Sequence, residues 1–177
     1  MSSGRLTQAL AFMSYVCGCC GKPHDEISPY FMWRFPKLSF TQWERLRFDN
    51  KFMCRIGHKR HFISCELEIT FKAKDREPLG FVGWVEVSKD DYDSYLEYRR
   101  DDKAEQTYGT LMSGILANPI PGVEGSLRTP VKFKVIKGDS TPYIKWVAPR
   151  TALSARLREG ATIEFWHHAF ATASVEG

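Results

Sequence analysis

The feature that most constrains this 177-residue chain is a period-two alternation running from His61 to Phe71. Ile63, Cys65, Leu67, Ile69 and Phe71 are apolar, and Ser64, Glu66, Glu68 and Thr70 fall between them. Successive side chains of a strand point to opposite faces, so the run predicts a half-buried strand, odd positions inward and even positions in water. Phe52 to Ile56 reads as its hairpin partner across Gly57-His58-Lys59. Phe81 to Val87 and Tyr108 to Ile115 predict further strands, the second ended by Asn118-Pro119 and Pro121-Gly122. Leu127 to Ile136 and Tyr143 to Val147 form another hairpin over Gly138-Asp139-Ser140, with Val131, Phe133 and Val135 on one side and Lys132 and Lys134 on the other.

Helical spacing interrupts the strands at separate points. Ser88 precedes Asp91 by three residues, and Tyr92, Tyr95 and Leu96 then mark an amphipathic helix over residues 89–99. Leu153 and Leu157, a break at Gly160, and Ile163, Trp166 and Phe170 behind a Thr162 cap predict two closing helices. Strands joined by turns and covered on one face by helices give an α+β domain, mainly an antiparallel β-sheet with a few short helices. Its expected extent is residues 14–170, between a flexible leader over 1–13 and a C-terminal tail over 171–177. With 43% hydrophobic and 14% aromatic residues the chain is not of the disordered class.

Charge and cysteine count narrow the partners and the compartment. The net charge of +4 is spread along the chain, and the one short basic run, His58-Lys59-Arg60-His61, falls at a hairpin tip. Nucleic acid therefore ranks last among partner classes. The uncharged stretch from Leu6 to Gly21 is 16 residues and contains Thr7, Gln8 and Ser14, short of the ~20 apolar residues that span a bilayer. Five cysteines, an odd number and locally clustered, point to a reducing, cytoplasmic setting.

The chemistry is densest at Cys17-Gly18-Cys19-Cys20-Gly21-Lys22-Pro23-His24. Cys17 and Cys20 have the C-x-x-C spacing that lets two thiolates reach one zinc ion, and Gly21 suits the tight knuckle that follows. His24 offers a third ligand, and Cys54, on the short strand beside the hairpin turn, is the expected fourth, with His58 as its rival. Cys65 shares the parity of Leu67 and Ile69 and so belongs to the core. A redox pair and unligated structural thiols are the competing readings of the cluster, although Gly21-Lys22-Pro23 does not open the helix a redox pair normally precedes.

Cys17-x-x-Cys20-Gly21-x-x-His24, then Cys54, Phe62-Ile63-x-Cys65-Glu66-Leu67-Glu68-Ile69, Gly83-Trp84-Val85-x-Val87-Ser88 and Arg158-Glu159-Gly160 occur in an order that resembles the bacterial domain-of-unknown-function family 2199. The similarity runs from about Tyr15 to Trp166. Two segments depart from it: Ser64-Cys65-Glu66 stands where relatives often read Arg-Gly, and Thr151-Ala152-Leu153 where they often read His-Pro-Leu. The resemblance implies a fold unit with a cysteine-rich site and no assigned reaction.

Glu66 and Glu68, on one strand face, are read as solvated carboxylates in preference to an acid–base pair. The stretch 29–48, holding Phe31, Trp33, Phe35, Phe40 and Trp43, is expected as a loop-rich aromatic cover over the sheet, with an exposed patch for a partner protein as the alternative. These features favour a zinc-stabilised binding or interaction module with a protein partner. The alternative is a metal- or thiol-dependent enzyme that uses the N-terminal Cys/His cluster.

Overall fold

The computed structural model describes residues 15–16, 21, 23–24, 30–72, 78–100, 109–136 and 141–173, with the backbone alone at 15–16, 23–24 and 170–173. The expected leader and the last four residues of the expected tail lie outside these, as does the turn at 138–140.

The alternating run becomes β6 (Arg60–Ile69), which pairs antiparallel with β7 (Leu79–Val87) along its whole length, from His61 opposite Val87 to Ile69 opposite Leu79. β7 passes to β8 (Leu111–Leu116), β8 to β9 (Pro130–Lys134), and β9 to β10 (Tyr143–Val147), each antiparallel. β10 returns to β6 with Tyr143 opposite Glu66, and this last pairing is parallel. The sheet thus closes into a five-stranded barrel. An antiparallel meander with an odd number of strands must close through one parallel pair, which no local pattern announces.

Three strands extend the barrel at its corners. β3 (Tyr30–Met32) runs parallel to β7 at Gly80–Val82, while β5 (Met53–Ile56) joins β6 and β4 (Leu46–Asn50) joins β5. The two-residue strands β1 (Tyr15–Val16) and β2 (Pro23–His24) form a separate ladder. The expected α+β class is therefore refined to a mainly β domain that, among the described residues, has four short helices and two parallel strand pairings. These helices are α1 (Phe40–Trp43), α2 (Lys89–Arg100), α3 (Ala152–Glu159) and α4 (Ile163–Ala173).

The caps follow the sequence. Asp91 N–H donates to Ser88 Oγ at 3.0 Å at the start of α2, and Phe165 N–H donates to Thr162 Oγ1 at 3.1 Å at the start of α4. Gly160, at φ +73, ends α3.

The odd face of β6 fills the barrel. Ile63, Cys65, Leu67 and Ile69 are buried with Phe81, Val85, Met112, Val131 and Phe133. Helix α2 contributes Tyr95 and Tyr92, the latter beside His61, and α4 contributes Trp166, whose ring meets Phe81 edge-on at 5.3 Å. Gly114 is required by close approach, since a Cβ there would lie 2.6 Å from the Glu86 carbonyl oxygen.

The even face corrects the expectation. Phe62, Ser64 and Glu66 are buried, and of the even positions expected in water Glu68 and Thr70 are exposed. The exterior of the barrel here is roofed by a second apolar cluster of Cys54, Ile56, Phe62, Trp84 and Ala117, with Trp33, Leu38 and Leu46 packed on it.

Leu67→Ala is expected to cost about 2–5 kcal/mol, and Glu68→Ala to stay within roughly 0.5 kcal/mol, in chemical denaturation. Gly114→Ala should destabilise clearly despite adding one methyl group. A stable Gly114→Ala would mean that β7 and β8 can separate without loss.

Candidate functional site

The segment 33–38 is bound to the barrel by directed hydrogen bonds. Trp33 N–H donates to the Val82 carbonyl at 2.9 Å and Lys37 N–H to the Ala117 carbonyl at 3.0 Å. The Trp33 indole N–H donates to the Pro119 carbonyl at 3.0 Å, and that of Trp84 donates to the Trp33 carbonyl at 3.1 Å. Asn118, fully buried, links both sides: its Oδ1 accepts from Trp84 N–H at 2.9 Å, and its Nδ2 donates to the Phe35 carbonyl at 2.9 Å.

Around this scaffold several large apolar side chains stand exposed beside the charged Arg34 and Lys37. Phe40 is 81% exposed, Met32 69%, Phe48 46% and Trp43 40%. Met32 and Trp43 border a groove of about 610 Å³ that is also lined by Phe31, Trp33, Phe35, Pro36, Leu38 and the buried Asn118. Its volume falls in the usual range of ligand-binding clefts. The Phe35 and Trp43 rings meet at 4.7 Å and 80°, and Phe31 and Trp33 at 5.2 Å and 75°, so these wall pairs are edge-to-face. Both expectations for 29–48 therefore meet here: Trp33 and Leu38 cover the sheet, while Met32, Phe40 and Trp43 remain exposed. The segment is more ordered than expected, since it contains β3 and α1, and β4 begins at its end.

The metal expectation divides between described and undescribed residues. Cys17 and Cys20 lie outside the described residues, and His24 is described by its backbone only. The β1–β2 ladder sets His24 opposite Tyr15 and brackets residues 17–22, with Gly21 at φ +67. Cys54 is fully buried in the outer cluster; burial first, then the Asp49 charge, push its thiol well above the usual range. Burial does the same to Cys65, whose Sγ sits 3.7 Å from the Ile63 carbonyl. Among the described residues no group of three or more His, Cys, Asp or Glu is placed to hold a metal ion.

A polar cluster that the sequence did not signal lies where β4, β5, β6 and α2 meet. Asp49 accepts from the Tyr92 hydroxyl at 2.6 Å and from Arg55 Nε at 3.0 Å. The buried His61 ring lies 5.0 Å from that of Tyr92, and Arg55 is its partner in register. Arg60, expected in a free basic tip, is instead gripped by both oxygens of Glu86 at 2.7 Å. Burial holds the His61 imidazole below its ordinary value, with Lys89 and Arg55 adding to that and Asp93 and Asp49 opposing it.

A family model described as "Uncharacterized protein conserved in bacteria (DUF2199)" matches residues 16–161. Comparison with curated proteins and with solved structures yields no match to either. Among the described residues no helix is long and apolar enough to cross a membrane.

The lowered His61 value has a definite sign. The unfolded chain takes up this proton near pH 6.5 and the folded chain only at lower pH, so stability falls as pH drops below that point. Denaturant midpoints of the wild type should decline between neutral and mildly acidic pH more steeply than those of His61→Phe; equal slopes would remove His61 from the account. With the matched segment covering most of its length, the chain belongs to the bacterial family DUF2199.

Proposed function

We propose that this chain is a non-enzymatic interaction module that docks a protein partner on the aromatic surface of residues 31–48 and is braced at its N-terminus by a structural zinc ion. The observation that carries the reading is the group of exposed Met32, Phe40, Trp43 and Phe48 side chains on a hydrogen-bonded scaffold. Exposed apolar surface of this kind gains free energy only when a partner removes it from water.

The zinc part rests on ligand chemistry. Cys17, Cys20 and His24 supply three donors at knuckle spacing, and the positive φ of Gly21 is the backbone bend such a knuckle uses. Cys54 is the proposed fourth. Its thiol holds its proton under the present burial, so the ion would have to displace that proton on binding. Thiol catalysis is the weaker reading for Cys54 and Cys65, because the nucleophile is the thiolate and burial opposes it.

Native mass spectrometry of untagged protein should show one zinc per chain, and a chelator should lower the Tm of the wild type while leaving the Cys17→Ser, Cys20→Ser double variant nearly unchanged. Cys54→Ser should weaken zinc binding about as much as Cys17→Ser does. Zinc retained at full affinity in Cys54→Ser would move the fourth ligand elsewhere. Metal-free protein of unchanged Tm that loses an enzymatic turnover would overturn the module reading.

A further inference from the structure

From the charge and shape of the groove we infer that the segment it takes is an acidic extended peptide with a central aromatic or aliphatic anchor. The inference rests on the docking role proposed above and supplies the chemistry of the partner. Residues 30–60 carry eight Lys or Arg against two Asp or Glu, a net of +6, whereas the whole chain carries +4, so the remainder is −2. The excess charge is therefore concentrated in the same segment as the exposed aromatics.

The distribution within that segment matters more than the sum. Arg55 is neutralised by Asp49 and Arg60 by Glu86. Arg34 and Lys37, both exposed, line the groove itself, and Arg45 and Arg47 stand exposed on the chain that leaves Trp43. Among the described residues none of these four is in an ion pair. An apolar anchor entering the cleft would bring its flanking carboxylates against this rim, and opposite charge there speeds encounter and fixes register.

The ring geometry separates a peptide from a single-stranded nucleic acid. Successive bases need aromatic faces to stack on. Here Phe35 and Trp43 meet at 80°, and the Arg34 guanidinium already lies over the Phe35 ring at 5.3 Å. Edge-to-face walls enclose a side chain and do not offer a row of stacking planes.

The test is selection of a displayed library of about twelve random residues on the full-length protein, with fluorescence anisotropy on the peptides recovered. Expected are sequences rich in Asp and Glu around one Phe, Trp, Leu or Ile. Their affinity should fall about tenfold or more when the acids become Gln, or when salt is raised to about 0.5 M. The double variant Arg34→Glu, Lys37→Glu should lose the acidic peptide and gain one with Lys in place of the acids, a swap that misfolding cannot produce. Neutral peptides binding equally well would overturn the acidic chemistry and leave the docking role intact. Failure to recover any peptide sensitive to Trp43→Ala would overturn both. Tighter binding of an oligothymidylate than of any selected peptide would assign the surface to nucleic acid and also overturn the inference.

Discussion

The structure depends on the seam at Glu66, where the backbone N–H donates to the Pro142 carbonyl at 2.8 Å and Tyr143 stands opposite in a parallel pair. Through this contact the meander from β6 to β10 becomes a ring, so the odd positions of β6 have an interior to fill. Without it, Leu67 and Ile69 would line an open sheet with helices on one side only. The closed ring also gives β6 and β7 an exterior face on which Trp33, Leu38 and Trp84 can build a second layer.

That second layer is held by polar groups as much as by apolar ones. Asn118 uses its acceptor on Trp84 and its donor on Phe35, so the roof and the barrel share one buried amide. An unpaired amide in that position would carry a penalty of about 1–3 kcal/mol, which ties the position of the 33–38 segment to the strand register beneath it.

Much of the barrel was legible because alternation is a local signal. The parity of Leu67, Phe133 and Val135 assigned their side correctly, and Ser88, Thr162 and Gly160 marked helix ends where the structure has them. The burial of Glu66 is not legible because its surroundings are remote in sequence: Tyr143 and Val82 flank it, and its Oε1 and the Tyr30 ring both lie against Gly80. β3 spans three residues and α1 four, shorter than any repeat that periodicity can resolve. At the site, the aromatic content of 29–48 was visible, but which rings turn outward depends on Asn118 and Pro119, far along the chain. The parity of Cys54 on a four-residue strand likewise said nothing of the roof that buries it. Arg60 and His61 looked like one basic tip until β6 paired with β7 and brought Glu86 alongside.

The backbone bonds of Trp33 and Lys37 to the barrel carry a thermodynamic consequence for recognition. A surface that is ordered only on contact loses conformational entropy at that moment, and this loss subtracts from affinity. Here residues 33–38 lose theirs when the barrel closes. A ligand on this face would therefore fill a preformed mould. A short segment can suffice, with a heat-capacity change set by the apolar area it covers and not by refolding of the receptor.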